Sequence, residues 1–270
     1  MSNFNPYLNP LRILSNLENG KSEGKELGIA DAVIAAITFI LLLSLPSGIT
    51  YGIMNALSSG TILQSSLYIL LILMITFFIV TTIFYAYYII NLNEDKIKIN
   101  PVKTFTVINI IFLILCVLGY LLFFDSLLLP IDKILPGFNI VTQSMQIMAK
   151  NSMFLIGYTF IIVPVLTEFV YRGIIVGGLL KKYSSKKSIL ISALIFGIST
   201  FNLSGFVCAF PLGIFLGYLY VKTRSLYLCI FADILYSVIT FSLLQYYPQF
   251  LLLISSNIFV IACLTIIGLL

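Results

Sequence analysis

From Ile29 onward the chain is a series of long apolar runs separated by short polar breaks. A membrane-spanning helix needs about 20 mostly apolar residues. Runs of that kind predict helices over 29–54, 64–91, 104–124, 152–180, 188–203, 207–221, 225–246 and 250–269, two of them short. The expected fold class is therefore all-α, a polytopic membrane bundle of about eight transmembrane helices. Residues 1–28 form a polar cytoplasmic segment and 29–270 the transmembrane domain. The first 28 residues lack the apolar core and small-residue site of a cleavable signal peptide, so the first helix is expected to act as its own insertion signal.

Composition supports that class. Hydrophobic residues make up 60% of the chain and charged residues 9%, with a mean hydropathy of +1.10. Soluble domains carry about 25% charged residues. The formal charge of +5 comes from cations scattered in loops. They build no basic face, so nucleic acid is not expected as a partner. Their placement instead predicts orientation, because cytoplasmic loops are enriched in Lys and Arg. Arg12, Lys21, Lys25, the lysines at 96, 98 and 103, the four between 181 and 187, Lys222 and Arg224 fall on one side; Lys133 and Lys150 fall on the other. Twelve against two puts both termini in the cytoplasm. Sixteen Tyr and no Trp imply an interfacial belt built from Tyr.

The segment 125–150 is broken by Pro130, Pro136 and Gly137 and is too polar to span. It reads as an outer interfacial stretch or an ordinary packed loop. The cysteines at 116, 208, 229 and 263 lie in apolar runs with no CxxC spacing, which points to packing and to neither a disulfide framework nor a metal site. Gly213 and Gly217 form a G-x-x-x-G, a spacing that lets membrane helices approach closely; intramolecular packing is the favoured reading.

Four ionisable residues interrupt the apolar runs: Asp31, Glu168, Arg172 and Asp233. Asp31 sits at a predicted helix end, within reach of water. The other three are deep, where a charge costs about 2.5–3.5 kcal/mol even on lenient insertion scales and normally marks a polar interior. Glu168 and Arg172, in TEFVYRG, are four residues apart on one helix face and can pair. Asp233 and Ser237 share a face by the same spacing. Asp233 placed near Arg172 would make a carboxylate–arginine–carboxylate network.

TEFVYRG, then ALIFGISTFNLSGF, FPLGIFLGYLYVKTRSLYL and FADILYSV, resemble the membrane core of the CPBP family (CAAX proteases, Abi proteins) over Met153 to Thr240. The family carries E-E-x-x-x-R, F-x-x-x-H and H-x-x-x-N. The resemblance implies an intramembrane metalloprotease-like site in which the first glutamate and the histidines activate water, and the last His and Asn stabilise the oxyanion. In this chain the first glutamate position is Thr167, while Glu168 and Arg172 keep the second glutamate and the arginine. Phe196 is kept; its histidine partner is Thr200. Asp233 and Ser237 stand at the last His and Asn.

The chain contains no histidine. General-base chemistry near neutral pH is most easily served by that residue, and an unactivated threonine hydroxyl does not replace it. Glu168 and Asp233 alone are too few ligands for a zinc site, so neither a metal nor another cofactor is expected. The expectation is a catalytically degenerate member, a pseudoprotease whose partners are the bilayer and another membrane or cell-envelope protein that it scaffolds or regulates. The candidate partner surface includes Leu127, Leu128 and Leu129. The alternative is a working peptidase, in CAAX-type processing or bacteriocin self-immunity, with Glu168 and Asp233 sharing a proton as an aspartic pair does. A transporter is a weaker third reading, since no paired broken helices are visible in two halves.

Overall fold

The computed structural model describes residues 13–20, 22–56, 76, 79–84, 86–91, 110–121, 160, 162–201 and 203–246. The expected helix 250–269, the segment 125–150 with Leu127, Leu128 and Leu129, and Cys263 lie outside the described residues. What is described is mostly helical. A short helix α1 (Ile13–Glu18) and strand β1 (Ser22–Gly24) precede the long α2 (Ile29–Ala56). Helical stretches Ile79–Tyr88 and Ile110–Leu121 follow. Strand β2 (Ile89–Asn91) continues directly from the first of these. Then come α3 (Val163–Glu168), a π-helical segment Phe169–Val176, α4 (Gly177–Leu179), α5 (Ser185–Ile198), α6 (Leu203–Thr223) and α7 (Leu226–Tyr246).

One helix whose side chains are described throughout, Gly205–Thr223, is long and apolar enough to cross a membrane. Shorter apolar stretches accompany it at Ile29–Ser44, Ile79–Tyr88, Ile110–Leu121 and Leu226–Thr240. Eight spans are thus not established among the described residues.

Three expectations are corrected. The helix expected over 64–91 stops at Tyr88. Its last three residues pair antiparallel with β1, in the register Ser22 to Asn91 and Gly24 to Ile89. Apolar composition alone does not separate a helix end from a short strand whose partner lies some 65 positions earlier. The helix expected over 188–203 begins at Ser185 and ends at Ile198. Beyond it the chain turns, with Phe201 in the left-handed region at φ 55°. Between 169 and 176 the chain is π-helical instead of α-helical.

The core forms around that π segment. Phe169, Val170, Tyr171, Ile174 and Ile175 pack against Ala32, Ala35 and Phe39 of α2, Phe84, and Leu226 and Ile230 of α7. A second cluster joins Val117 and Leu121 to Leu212 and Leu216 of α6 and Leu228 and Ala232 of α7. Between α5 and α6 the backbones approach closely: a Cβ on Gly213 would meet the Ala193 Cα at 2.9 Å, and one on Gly217 the Ile189 Cγ2 at 3.1 Å. The G-x-x-x-G therefore seats α6 on α5 within the chain.

Residues 13–20 and 22–27 act as a strap across one end of this core. The Lys25 amide donates to the Tyr88 carbonyl at 2.7 Å and the Leu27 amide to the Gly178 carbonyl at 3.1 Å. Lys181 pairs with Glu23. Glu18 caps α7 from the other end of the chain. It accepts from the Leu226 amide at 2.6 Å and the Tyr227 amide at 3.3 Å, and from the Ser225 hydroxyl. These are orphan donors of a helix start, where a carboxylate is favoured by the helix dipole. Replacing a cap typically costs about 0.5–2 kcal/mol. Glu18→Ala should therefore lower the melting temperature and speed amide exchange at Leu226 and Tyr227; an unchanged exchange rate there would show that the cap contributes nothing.

Candidate functional site

Residues Thr167 to Gly173 cross from α3 into the π segment, which brings two interleaved pairs onto different faces. Glu168 and Arg172 point into the bundle and are 0% and 1% exposed. Arg172 Nη1 donates to Glu168 Oε1 at 2.5 Å. The guanidinium also lies over the Phe196 ring, 5.1 Å from its centroid. Asp233 is buried and within electrostatic reach of both Glu168 and Arg172. Among the described residues it forms no ion pair with Arg172 within 4.0 Å. Arg172 Nε and Nη2 and Glu168 Oε2 have no hydrogen-bond partner among the described residues. The three residues thus form a cluster with one direct bond. Cys229 stands beside it on α7, one turn before Asp233, and its thiol donates to backbone carbonyls of Leu216 and Ser225. Ser237, one turn after Asp233, is half-buried.

Thr167 and Tyr171 occupy the neighbouring face. They line a cavity of about 410 Å³ with Phe39, Leu43 and Ser44 of α2 and with Phe196 and Ser199. The Thr167 hydroxyl donates to its own helix, at Val163 O (2.6 Å) and Pro164 O (3.1 Å). Thr200 lies beyond the end of α5, where its hydroxyl donates to Gly197 O at 2.8 Å. Both hydroxyl protons are thus committed to backbone carbonyls. Ser192 donates to the Tyr171 carbonyl at 3.4 Å, tying α5 to the π segment.

A family model described as type II CAAX prenyl endopeptidase Rce1-like matches residues 149–239. Over that third of the chain the sequence is similar to this family. Comparison with curated proteins and with solved structures finds no match. The matched stretch takes in α3 to α6, the π segment and most of α7. It therefore contains Thr167, Glu168, Arg172, Phe196, Thr200, Asp233 and Ser237 together. Among the described residues no three His, Cys, Asp or Glu side chains converge, whereas a zinc site takes at least three protein ligands.

Sequence reasoning singled out Glu168, Arg172, Asp233 and the two threonines, and it passed over Tyr171, Ser199 and the α2 side of the cavity. The signal for Tyr171 was present. Thr167 and Tyr171 are spaced i, i+4 as Glu168 and Arg172 are, one residue out of phase. Nothing in the sequence pairs Phe39 or Leu43 with them across more than 120 positions.

Proposed function

We propose that this protein is a catalytically inactive relative of the CAAX proteases that spans the membrane several times, with both termini in the cytoplasm, and scaffolds or regulates another membrane or cell-envelope protein. The observation that carries this reading is the state of the site positions. The chain has no histidine, and Thr167 and Thr200 turn their hydroxyl protons to their own backbones. A water molecule held there would meet no general base at either position, and proton transfer by a positioned group is worth about 10²–10⁴ in rate. Glu168 is engaged by Arg172, which supports an architectural role. Leu127, Leu128 and Leu129 remain the candidate partner surface.

One observation favours the peptidase reading. Glu168 Oε2 is unpartnered and Asp233 lies within reach of its charge, so two carboxylates are available for an acid–base pair. The two readings differ in what Glu168→Gln does. Purified wild-type protein in nanodiscs is expected to leave lipidated and membrane-spanning peptides uncleaved, and Glu168→Gln to retain the partners that co-purify from native membranes. Hydrolysis by the wild type that disappears in a well-folded Glu168→Gln protein would establish the peptidase and remove the scaffold reading.

A further inference from the structure

We propose that the outer face of the α5–α6 pair binds an anionic phospholipid, its phosphate between Lys186 and Lys222 and its acyl chains along Leu190 and Leu194 of α5 and Ile214 and Tyr218 of α6. The proposal rests on the membrane-spanning part of the reading above, and on neither the partner nor the peptidase. Residues four apart lie on one helix face. Lys186, Leu190, Leu194 and Ile198 therefore form one stripe on α5, and Ile214, Tyr218 and Lys222 form one on α6. Both stripes are uncovered: their uncharged members range from 36% exposed at Ile214 to 63% at Ile198, and both lysines are exposed.

Helix geometry sets the stripes side by side. Gly213 and Gly217 of α6 face Ala193 and Ile189 of α5, so the helices run antiparallel, with 217 level with 189 and 213 level with 193. On each helix the stripe lies one residue further along, a rotation of about 100°. Because the helices run in opposite directions, both rotations lead to the same side of the pair. The same register sets Lys186 level with 220, two residues or about 3 Å of rise from Lys222. Two ammonium groups thus stand at one end of two adjacent apolar tracks. From Lys186 to Ile198 the α5 track runs about 18 Å, enough for one leaflet of a hydrocarbon core about 30 Å thick.

The charges at that end select an anionic headgroup. Among the described residues neither Lys186 nor Lys222 has a carboxylate within 4.0 Å. Of the carboxylates there, Glu18 caps α7, Glu23 pairs with Lys181, and Asp31 accepts from the Gly28 amide at 2.9 Å. That leaves the exposed Glu26 against Lys25, Lys182, Lys186, Lys187, Lys222 and Arg224, all of them exposed. The Lys222 ammonium lies over the Tyr218 ring, 5.6 Å from its centroid, and that of Lys187 over Tyr183 at 4.6 Å. Tyrosine rings favour the headgroup level of a bilayer, so these contacts set the ammonium groups at the depth of lipid phosphates. A zwitterionic headgroup brings its own cation to such a surface. An anionic one does not, and each lysine near it is worth about fivefold in binding.

The test uses the full chain in phosphatidylcholine nanodiscs doped with phosphatidylglycerol or phosphatidylcholine that carries a diazirine on one acyl chain. Labelled residues are mapped by mass spectrometry. The phosphatidylglycerol probe is expected to label 190–194 and 214–218 at least about tenfold more than the phosphatidylcholine probe. Lys186→Gln and Lys222→Gln should each lower that excess about fivefold and together abolish it, with the melting temperature in phosphatidylcholine unchanged because both side chains are exposed. Arg224→Asn is the control. It removes a cation from the same end but from neither stripe, and Asn adopts the left-handed conformation found there, φ 53°. Its excess should stay within about twofold of the wild type, since salt screens exposed charges outside the contact. Equal labelling by the two probes, an excess that survives the double substitution, or an equal loss in Arg224→Asn would overturn the proposal. So would stripes shielded from both probes by a second copy of the chain. A chain that does not enter nanodiscs refutes the membrane-spanning reading and the proposal with it, whereas equal labelling leaves that reading intact.

Discussion

Arg172→Ala is expected to accumulate poorly and to lose about 3–5 kcal/mol of stability, the range found when one side of a buried ion pair is removed. The geometry explains the size. Arg172 is 1% exposed, and its only direct acid partner among the described residues, Glu168, is 0% exposed. Truncating the arginine strands that carboxylate and leaves Asp233, also buried, without the nearest positive charge. The cation–π contact with Phe196 goes as well, and with it the packing of a side chain that ranks among the largest fully buried ones. Removing both charges is a different experiment. Glu168→Gln with Arg172→Met keeps the volume and takes away the desolvation cost of both ions, and such replacements are often neutral or stabilising. The double variant should therefore melt above Arg172→Ala and above either of its component single changes. A thermal series in mild detergent settles it: a double variant as unstable as the sum of its singles shows that Glu168 and Arg172 are not coupled.

Gly178→Val should release the strap. A Cβ at Gly178 would stand 2.5 Å from both the Leu27 Cγ and the Lys25 carbonyl oxygen. The leucine can rotate away; the Lys25 carbonyl belongs to backbone whose neighbours are held by Tyr88 and by Gly178 itself. Overpacking of this kind typically costs about 1–3 kcal/mol, and here the strain is relieved by undocking 22–27. Limited proteolysis within 13–28 should then be at least about tenfold faster than in the wild type. Gly177→Ala is the matched control, because its Cβ would find only ordinary contacts at 3.6 Å and 3.7 Å. If the two variants are cleaved at the same rate, close packing at Gly178 does not hold the strap.

The helical class could be read from the sequence because the apolar runs are long and their composition is extreme. The start of α2 at Ile29 falls where those runs predict, and α7 is helical as far as Tyr246, the last described residue. The Glu168–Arg172 contact was legible for a comparable reason: two opposite charges one turn apart in an apolar run have few other ways to be satisfied. Features that depend on distant chain were not legible. Strand β2 exists because β1 lies beside it, and Ile-Ile-Asn reads equally well as a helix end. The cap on α7 depends on a glutamate 208 residues away, and no local signal at Leu226 announces it. The π-helical turn is invisible for another reason. FVYRGIIV has the apolar content of any buried helix, and the extra residue per turn is imposed by what surrounds it.

The strap also fixes an order of events during synthesis. Residues 13–18 leave the ribosome long before Leu226, and at about 5–20 residues per second the 208 positions between Glu18 and its amide partner correspond to roughly 10–40 s. Throughout that interval Leu17 and Glu18 have no α7 to engage, and Leu27 waits for Gly178. Docking of Glu18 is therefore a late closure that reports whether the helix bearing Asp233 has been made and placed. A chain stalled before Leu226 already has the partners of Lys25 and Leu27 but lacks the amides that Glu18 accepts from, so the latch at Glu18 is the last to close.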